Sequence, residues 1–181
     1  MTIYQQMQYL EYISKISDIY NTLSHLAFDD LKRNIDKNEI INLKTIIENS
    51  SAFYQEIASV KDIEIVLNTQ TTYIKMDTDS AQKLVNNLIS NAIKYNYTHK
   101  KIYITLQNNN LRVKDEGIGI SKDDQNDILK RYKRATNLSG GFGIGLDIVN
   151  SICKKYQILL TIESQPKRGT TFMVDLTSIV I

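Results

Sequence analysis

The residues of this 181-residue chain that could do chemistry are concentrated in four short segments. An asparagine-rich stretch, a glycine-bracketed aspartate, a basic cluster and a turn with three glycines occupy 87–95, 115–120, 130–134 and 141–146, in that order. Together they supply amide oxygens, a carboxylate, cationic side chains and bare backbone amides. Those groups can hold a nucleoside triphosphate and its metal ion. Each segment alone has an ordinary explanation, but this ordered combination is hard to obtain by chance.

The asparagine segment is predicted to lie on a helix. Asn87, Asn91, Lys94 and Tyr95 share an arc of about 100° at helical spacing. The adjoining arc is apolar and consists of Ala81, Leu84, Val85, Leu88, Ile89, Ala92 and Ile93. Amide oxygens are hard, neutral ligands that suit a magnesium ion already carrying phosphates, and a lysine offsets phosphate charge. The alternative is a solvated helix face.

Asp115 follows a predicted strand and precedes Gly117 and Gly119. A carboxylate at a strand end can accept a hydrogen bond from the exocyclic amine of adenine. Guanine carries an oxygen at the equivalent carbon, which an ionised carboxylate would repel. The two glycines would let the backbone approach a base closely. The alternative is a tight turn that Asp115 only caps.

The last two segments could contact phosphates. Arg131 and Arg134 belong to a basic run, and the planar fork of arginine suits phosphate oxygens. A solvated charged face is the alternative. The final segment has three alternate glycines, Gly141, Gly143 and Gly145. They precede a predicted helix, whose N-terminus would make an anion seat. A dinucleotide-binding fingerprint is excluded because no βαβ unit surrounds these glycines.

The composition indicates a soluble domain and is compatible with a reducing compartment. The chain is 42% hydrophobic and has a net charge of +2, so no global charge points to nucleic acid or to an anionic membrane. Its single cysteine, Cys153, excludes an internal disulfide and is predicted to be a buried, inert thiol. No stretch approaches the roughly 20 apolar residues that cross a bilayer, and no signal pattern begins the chain.

The hydrophobic periodicity predicts an α+β domain preceded by one long helix. Residues 3–35 carry an apolar stripe that needs a helical partner, 34–42 is predicted to be a linker, and the domain boundary is placed near residue 40. Further helices are predicted at 43–58, 79–95, 127–132 and 146–156, and strands at 63–67, 73–76, 102–106, 111–113, 159–163 and 171–176. Asp79, with Gln82 as its capping-box partner, is predicted to begin the second of these helices.

In this order the segments resemble the motifs of the ATP-binding catalytic domain of two-component sensor histidine kinases. That domain belongs to a class shared with gyrase, mismatch-repair ATPases and heat-shock chaperones. The N box, the first glycine box, the F box and the second glycine box correspond to 87–95, 115–120, 129–134 and 141–146. The stretch that ends Gly169-Thr170-Thr171-Phe172 is similar to the closing strand-turn motif. The resemblance covers 43–178 and implies a two-layer α/β sandwich of the Bergerat type, with ATP between the helical layer and a lid at 121–140.

The resemblance also implies roles for single residues, with ATP and Mg²⁺ as cofactors. Asn91 would be the main magnesium ligand, with Asn87 beside it. The catalytic residues would be Asn87, Lys94 and Arg131. The nucleotide-binding set would be Asn87, Asn91, Lys94, Tyr95, Asp115, Gly117, Gly119, Ile120, Arg131, Arg134, Gly141, Gly143, Gly145, Leu146 and Thr171.

Two departures from the family pattern refine the expected activity. Members that hydrolyse ATP place a glutamate four residues before the metal asparagine, where this chain has Asn87, so phosphoryl transfer is favoured over hydrolysis. The second departure is that neither histidine suits the role of phosphoacceptor. His25 lacks the acidic, basic and proline residues that usually follow an acceptor histidine, and His99 follows the N-box helix in a predicted loop.

The sequence therefore predicts the catalytic domain of a sensor histidine kinase, with residues 1–40 as the second helix of the dimerisation hairpin and 41–181 as the ATP-binding domain. The acceptor histidine, the second subunit and a response regulator would be its partners, and neither nucleic acid nor membrane would contact it directly. The expected location is cytoplasmic, with a parent kinase anchored in the inner membrane. An ATPase of the same fold and a non-catalytic ATP-sensing or dimerisation module are the alternatives.

Overall fold

The computed structural model describes residues 39–122, 124–125 and 144–181. The described helices are α1 (Leu43–Ser59), α2 (Thr78–Tyr95) and α3 (Ile144–Tyr156). The strands are β1 (Ile40–Asn42), β2 (Glu64–Thr69), β3 (Tyr73–Lys75), β4 (Lys101–Gln107), β5 (Asn110–Asp115), β6 (Leu159–Gln165) and β7 (Gly169–Asp175). The helices predicted at 3–35 and 127–132, and most of the predicted lid, lie outside these residues.

Five strands form one sheet in the order β2-β4-β5-β7-β6. The pairs β4–β5, β5–β7 and β6–β7 are antiparallel, and β2–β4 is parallel. The predicted hairpin of β6 and β7 is confirmed, with Gln165 opposite Gly169 across its turn. The α+β class is also confirmed, although the parallel β2–β4 pair departs from the expected hairpin grouping because helix α2 lies between those strands in sequence.

The core lies between the sheet and the helices. Strand β4 alternates strictly, with its inward residues Ile102, Ile104 and Leu106 fully buried. Helix α2 packs against both α1 and α3, and it turns its apolar arc to the core. All seven residues of that predicted arc are buried. Burial of these side chains is the main stabilising term, at roughly 1.5–3 kcal/mol for each large aliphatic group. The central helix is therefore fixed on three sides, which positions its polar stripe.

The beginning of α2 corrects a sequence-based prediction. The N-cap is Asp77 rather than Asp79, because the Asp77 carboxylate accepts a hydrogen bond of 2.7 Å from the backbone N–H of Ser80. Asp77 also accepts hydrogen bonds from the Ser80 hydroxyl, the Lys155 ammonium and the Tyr156 hydroxyl. Two of these partners come from α3. The helix start is thus selected by a tertiary contact that a local capping pattern does not contain.

A short ribbon also differs from the predicted linker. Residues 40–42 form β1, which pairs antiparallel with β3, and Ile41 and Ile74 face the core from opposite positions. The Asn42 side chain caps α1 by accepting from the N–H of Lys44 at 3.1 Å. These three residues thus belong to the folded unit rather than to a linker. The predicted boundary near residue 40 stays a prediction, since residues 1–38 lie outside the described part of the chain.

Two smaller predictions are confirmed. Cys153 is buried, and burial raises the pKa of its thiol to about 12, so it is an inert core residue at neutral pH. His99 lies in an exposed loop at φ 59°, next to the Asp62 carboxylate. Asn108 and Asn109 adopt positive φ in the turn between β4 and β5.

Candidate nucleotide-binding site

The two asparagines of helix α2 face the start of helix α3. The Asn87 side chain is 1% exposed, and its amide nitrogen donates to the carbonyl oxygen of Lys83 at 2.7 Å. A β-carbon placed on Gly145 would lie 2.8 Å from Asn87 Oδ1 and 3.7 Å from Asn91 Nδ2. The amide groups of both asparagines therefore meet at the bare backbone of α3.

Asn91 carries an unsatisfied polar group. Its amide nitrogen is buried and has no hydrogen-bond partner within the described residues. A buried amide without a partner costs about 1–3 kcal/mol, so such groups are few in folded proteins and are frequent at binding sites. Rotation of this amide by half a turn would present its oxygen at the same place. The donor set fits a hard cation such as Mg²⁺, which prefers neutral or anionic oxygens.

The far end of α2 is held by Lys61. Its ammonium group donates to the carbonyl oxygens of Ile93, Lys94 and Asn96, at 2.9, 3.3 and 3.0 Å. Carbonyl groups at a helix C-terminus lack partners within the helix and attract cations. Burial lowers the pKa of Lys61. This lysine stabilises the turn that carries Lys94 and Tyr95, whose own ammonium group and ring lie 5.6 Å apart.

Asp115 ends β5 with its side chain pointing inward and only 4% exposed. One carboxylate oxygen accepts from the backbone N–H of Gly117 at 2.9 Å and from that of Thr170 at 3.2 Å. Burial raises the pKa of Asp115 to about 6, against the opposing effect of those two hydrogen bonds. This pKa shift is large, and carboxylates with strongly perturbed pKa values are concentrated at functional sites.

The loop after Asp115 is packed too closely for side chains. A β-carbon on Gly117 would lie 2.0 Å from the carbonyl oxygen of Tyr95, the last residue of α2. Gly119 has φ 66°, and a β-carbon there would lie 1.9 Å from the carbonyl oxygen of Gln165. Because L-residues avoid this φ and because the space is occupied, only glycine fits at 119. The loop is thereby packed between the end of α2 and the turn that joins β6 to β7.

Thr170, rather than Thr171, is the threonine beside Asp115. Thr171 pairs with Lys114 in the sheet, and both face away from the helices. Thr170 is 6% exposed and lies on the inward face with Phe172 and Val174. The alternation of β7 could have shown this, since Phe172 and Val174 are the apolar parity of the strand and place Thr170 on the same side.

The structure brings together most of the predicted site residues that it describes. Helix α2 carries Asn87, Asn91, Lys94 and Tyr95, the β5 end carries Asp115, Gly117, Gly119 and Ile120, and α3 begins with a turn that includes Gly145 and Leu146. Arg131, Arg134, Gly141 and Gly143 lie outside the described residues. Sequence reasoning missed Ser164 and Gln125, which contact the loop, and Lys61, which has no local sequence signal.

This arrangement agrees with a comparison against known families. Residues 76–178 match the family described as histidine kinase-, DNA gyrase B- and HSP90-like ATPases. The chain belongs to this ATPase family. The matched range includes α2, the Asp115 loop, α3 and the closing hairpin. The fold that the motifs implied, an α+β domain of the histidine kinase ATPase type, is thereby confirmed.

Similar proteins of this ATPase family are bacterial sensor kinases. A heme sensor protein, HssS of Staphylococcus saprophyticus, is 28% identical over 92% of this chain and 38% of its own length. The sensor histidine kinase YkoH of Bacillus subtilis is 34% identical over 72% of this chain and 31% of its own length. This chain thus spans well under half of either protein. The described fold also resembles the mycobacterial sensor histidine kinase MprB, with a TM-score of 0.70 and 22% identity over 79% of this chain and 97% of that one.

Membrane-spanning helices and clusters of metal-binding side chains were sought in the described residues alone. Within residues 39–122, 124–125 and 144–181, no helix is long and apolar enough to span a bilayer. The same residues contain no group of three or more histidine, cysteine or acidic side chains that could bind a metal by themselves.

Proposed function

We propose that this chain binds magnesium ATP and supplies the catalytic domain of a sensor histidine kinase, which transfers the γ-phosphoryl group to a histidine on another segment. The proposal rests on the surroundings of Asp115. It is a buried carboxylate whose one oxygen is held by two backbone N–H groups, and no cation in the described part of the chain pairs with it. A carboxylate desolvated in this way without a cation needs a neutral donor as its partner.

Adenine supplies such a donor. Its exocyclic amine can donate to the second oxygen of Asp115, whereas guanine would present an oxygen to the same position. Thr170, which donates its N–H to Asp115, replaces Thr171 as the threonine that we assign to this end of the nucleotide. Ile120 and Tyr95 would border the base from the loop and from α2.

The phosphates and the metal are assigned to the face of α2 that lies against the start of α3. Asn91 would present its amide oxygen to Mg²⁺, and Asn87 would support it beside the bare backbone of Gly145. The bound metal would supply charge neutralisation of the phosphates. Lys94, Arg131 and Arg134 would add positive charge, and Gly141, Gly143, Gly145 and Leu146 would supply backbone at the phosphates. Catalysis then rests on positioning and on charge stabilisation.

Asn87 favours transfer over hydrolysis. The family members that hydrolyse ATP place a glutamate at this position, and a carboxylate there can take a proton from water. An amide cannot act as that base. The Asn87 amide is, in addition, held by the Lys83 carbonyl inside the protein rather than directed to solvent. ATP hydrolysis by this chain is therefore expected to be negligible.

The wider setting follows from the relatives and is also a proposal. The relatives are named as sensor proteins and sensor histidine kinases, and the chain covers about a third of their length. We assign to the parent protein an acceptor histidine, a second subunit, a response regulator as recipient, a cytoplasmic catalytic domain and a membrane anchor. Residues 1–40 would belong to the dimerisation hairpin. The alternative, an ATP-sensing module without catalysis, shares the nucleotide site.

The test is calorimetric titration of the 181-residue chain with a non-hydrolysable ATP analogue and magnesium. We expect micromolar-range binding, about −8 kcal/mol, no binding of the GTP analogue, and loss of ATP binding by Asp115→Asn, because the amide presents a donor to the adenine amine. The matched control is Asp62→Asn, an exposed loop aspartate whose change should leave the affinity unaltered. No binding by the unmutated chain would contradict the proposal.

A further inference from the structure

The hydroxyl group of Ser164, near the end of β6, lies at the junction of the Asp115 loop and the closing hairpin. It accepts a hydrogen bond from the backbone N–H of Ile120 at 2.8 Å. It lies 2.9 Å from the carbonyl oxygen of Gly169 and 2.9 Å from the hydroxyl oxygen of Thr170. One small side chain therefore contacts both segments that bracket Asp115.

The hydrogen-bonding capacity of a hydroxyl group fixes the direction of each of these contacts. A serine hydroxyl has one hydrogen and two lone pairs. A carbonyl oxygen can only accept, so the Ser164 hydrogen is directed to Gly169. The two lone pairs then accept from the Ile120 N–H and from the Thr170 hydroxyl. As a result, the Thr170 hydrogen is committed to Ser164, and the remaining lone pairs of Thr170 can only accept.

Other contacts join the same two segments. The N–H of Lys167, in the turn, donates to the carbonyl oxygen of Ile118 at 2.7 Å. The Gln125 side-chain amide donates to the carbonyl oxygens of Ile120 and Ser164, at 3.0 and 2.9 Å. The loop at 115–120 and the turn at 165–169 thus form one hydrogen-bonded unit, with Ser164 at its centre.

We propose that Ser164 is a positioning residue for recognition of the base: its hydroxyl group holds the loop at Ile120 and the side chain of Thr170, and the backbone N–H of Thr170 in turn holds the Asp115 carboxylate that would accept from an amino group. The proposal rests on the proposed nucleotide function. Without the Ser164 hydroxyl group, the Ile120 N–H would lose its acceptor and the Thr170 hydroxyl group would lose its partner. The Thr170 N–H would then hold the Asp115 carboxylate less firmly in the position that accepts from the amine of the base.

The experiment compares two ligands in the 181-residue chain, a non-hydrolysable ATP analogue and the matching purine nucleotide that lacks the 6-amino group. For Ser164→Ala we expect about a tenfold loss of affinity for the ATP analogue, about 1.4 kcal/mol, and a smaller loss for the analogue that lacks the 6-amino group. The preference for the amino group should therefore shrink. Ser164→Thr keeps a hydroxyl group and should restore the preference.

The control is Thr161→Val, which removes a hydroxyl group from the outward face of the same strand and should change neither affinity. Thermal unfolding confirms that each variant is folded, and Ser164→Cys, of similar size but with weaker hydrogen bonds, takes the place of an alanine variant that does not fold. An unchanged preference in a folded variant would overturn the inference while leaving the nucleotide site intact. Failure of the unmutated chain to bind ATP would overturn the proposed function and the inference together.

Discussion

The Asp115 carboxylate, which we propose recognises the base, lowers the stability of the fold when it is ionised. Its carboxylate is buried without a cation, and its pKa is raised from 3.8 to about 6. The folded protein therefore holds the proton more tightly than the unfolded chain does. Stability from this protonation is fully present below about pH 3.8 and is lost as the pH rises through about 6. At neutral pH the ionised Asp115 carboxylate therefore makes the folded protein less stable than the protonated form would.

Replacement of this residue should stabilise the protein while removing its function. At pH 8 we expect Asp115→Asn to raise the free energy of unfolding by about 1–3 kcal/mol, because the amide resembles the protonated acid at every pH. The gain should fade as the pH falls from 6 to 4. Urea denaturation at several pH values measures it. A variant less stable than the unmutated chain at pH 8 would show that the ionised carboxylate supports the loop.

The types of chemical group in the candidate site were easier to predict from the sequence than the individual residues that supply them. The placement of Asp115 at a strand end and of Asn87 and Asn91 on one helix face could be predicted, since a strand followed by glycines and an i, i+4 spacing are local signals. The neighbour of Asp115 was not, because the choice between Thr170 and Thr171 depends on which face β7 presents to the core. Lys61 was also missed, because its contact with α2 joins residues more than 30 positions apart.

At the scale of elements, α2 is fixed at both ends by distant residues. At its start Asp77 joins Ser80 to Lys155 and Tyr156 of α3. Burial alone would raise the pKa of Asp77, but the hydrogen bonds from Lys155, Tyr156 and Ser80 outweigh it and lower the pKa to about 2. The stability that this pairing contributes is present above about pH 3.8 and is lost as the pH falls through about 2.

This contact distinguishes the observed N-cap from the one that the sequence suggested. We expect Asp77→Asn to lower the free energy of unfolding at pH 7 by about 1–3 kcal/mol, with the loss disappearing near pH 2. The matched change Asp79→Asn removes a half-exposed carboxylate paired with Lys83 and should cost under about 0.5 kcal/mol. Chemical denaturation of both variants measures the difference. Equal losses would contradict the assignment of Asp77 as the cap.

The elements themselves were mostly predictable because their signals are local. Helix α1, helix α2 and the β6–β7 hairpin agree with the periodicity to within a few residues. Strand β1 was missed because three residues carry no period, and they become a strand only through pairing with β3. The parallel β2–β4 pair was missed for a similar reason, since its partners are separated in sequence by β3 and α2.

At the scale of the whole molecule, β1 determines where the ATP-binding unit can begin. Beyond pairing with β3, this region caps α1 through Asn42 and the start of α2 through the Glu39 carboxylate, which accepts from Thr78. We expect a chain of residues 39–181 to unfold cooperatively and to bind the ATP analogue like the 181-residue chain. A chain of residues 44–181 should lose more than about 4 kcal/mol of stability, from the burial of Ile41 and Leu43, the cap and the strand hydrogen bonds.

Thermal unfolding and titration of the two shortened chains check this expectation. Equal stability of both would show that β1 contributes nothing and would return residues 40–42 to the linker. Failure of residues 39–181 to fold would place the preceding segment within the same structural unit. Either result would move the predicted boundary near residue 40.

The two glycines of the loop after Asp115 limit which substitutions such sequences can accept during evolution. Backbone atoms of α2 and of the closing turn occupy the positions that β-carbons of Gly117 and Gly119 would need. The fold alone therefore forbids replacement there, whether or not a nucleotide is ever bound. A descendant that had abandoned ATP could change Asn91 or Asp115 but would keep both glycines. In such chains the glycine spacing therefore indicates that the fold is kept, whereas Asn91 and Asp115 indicate whether a nucleotide is still bound.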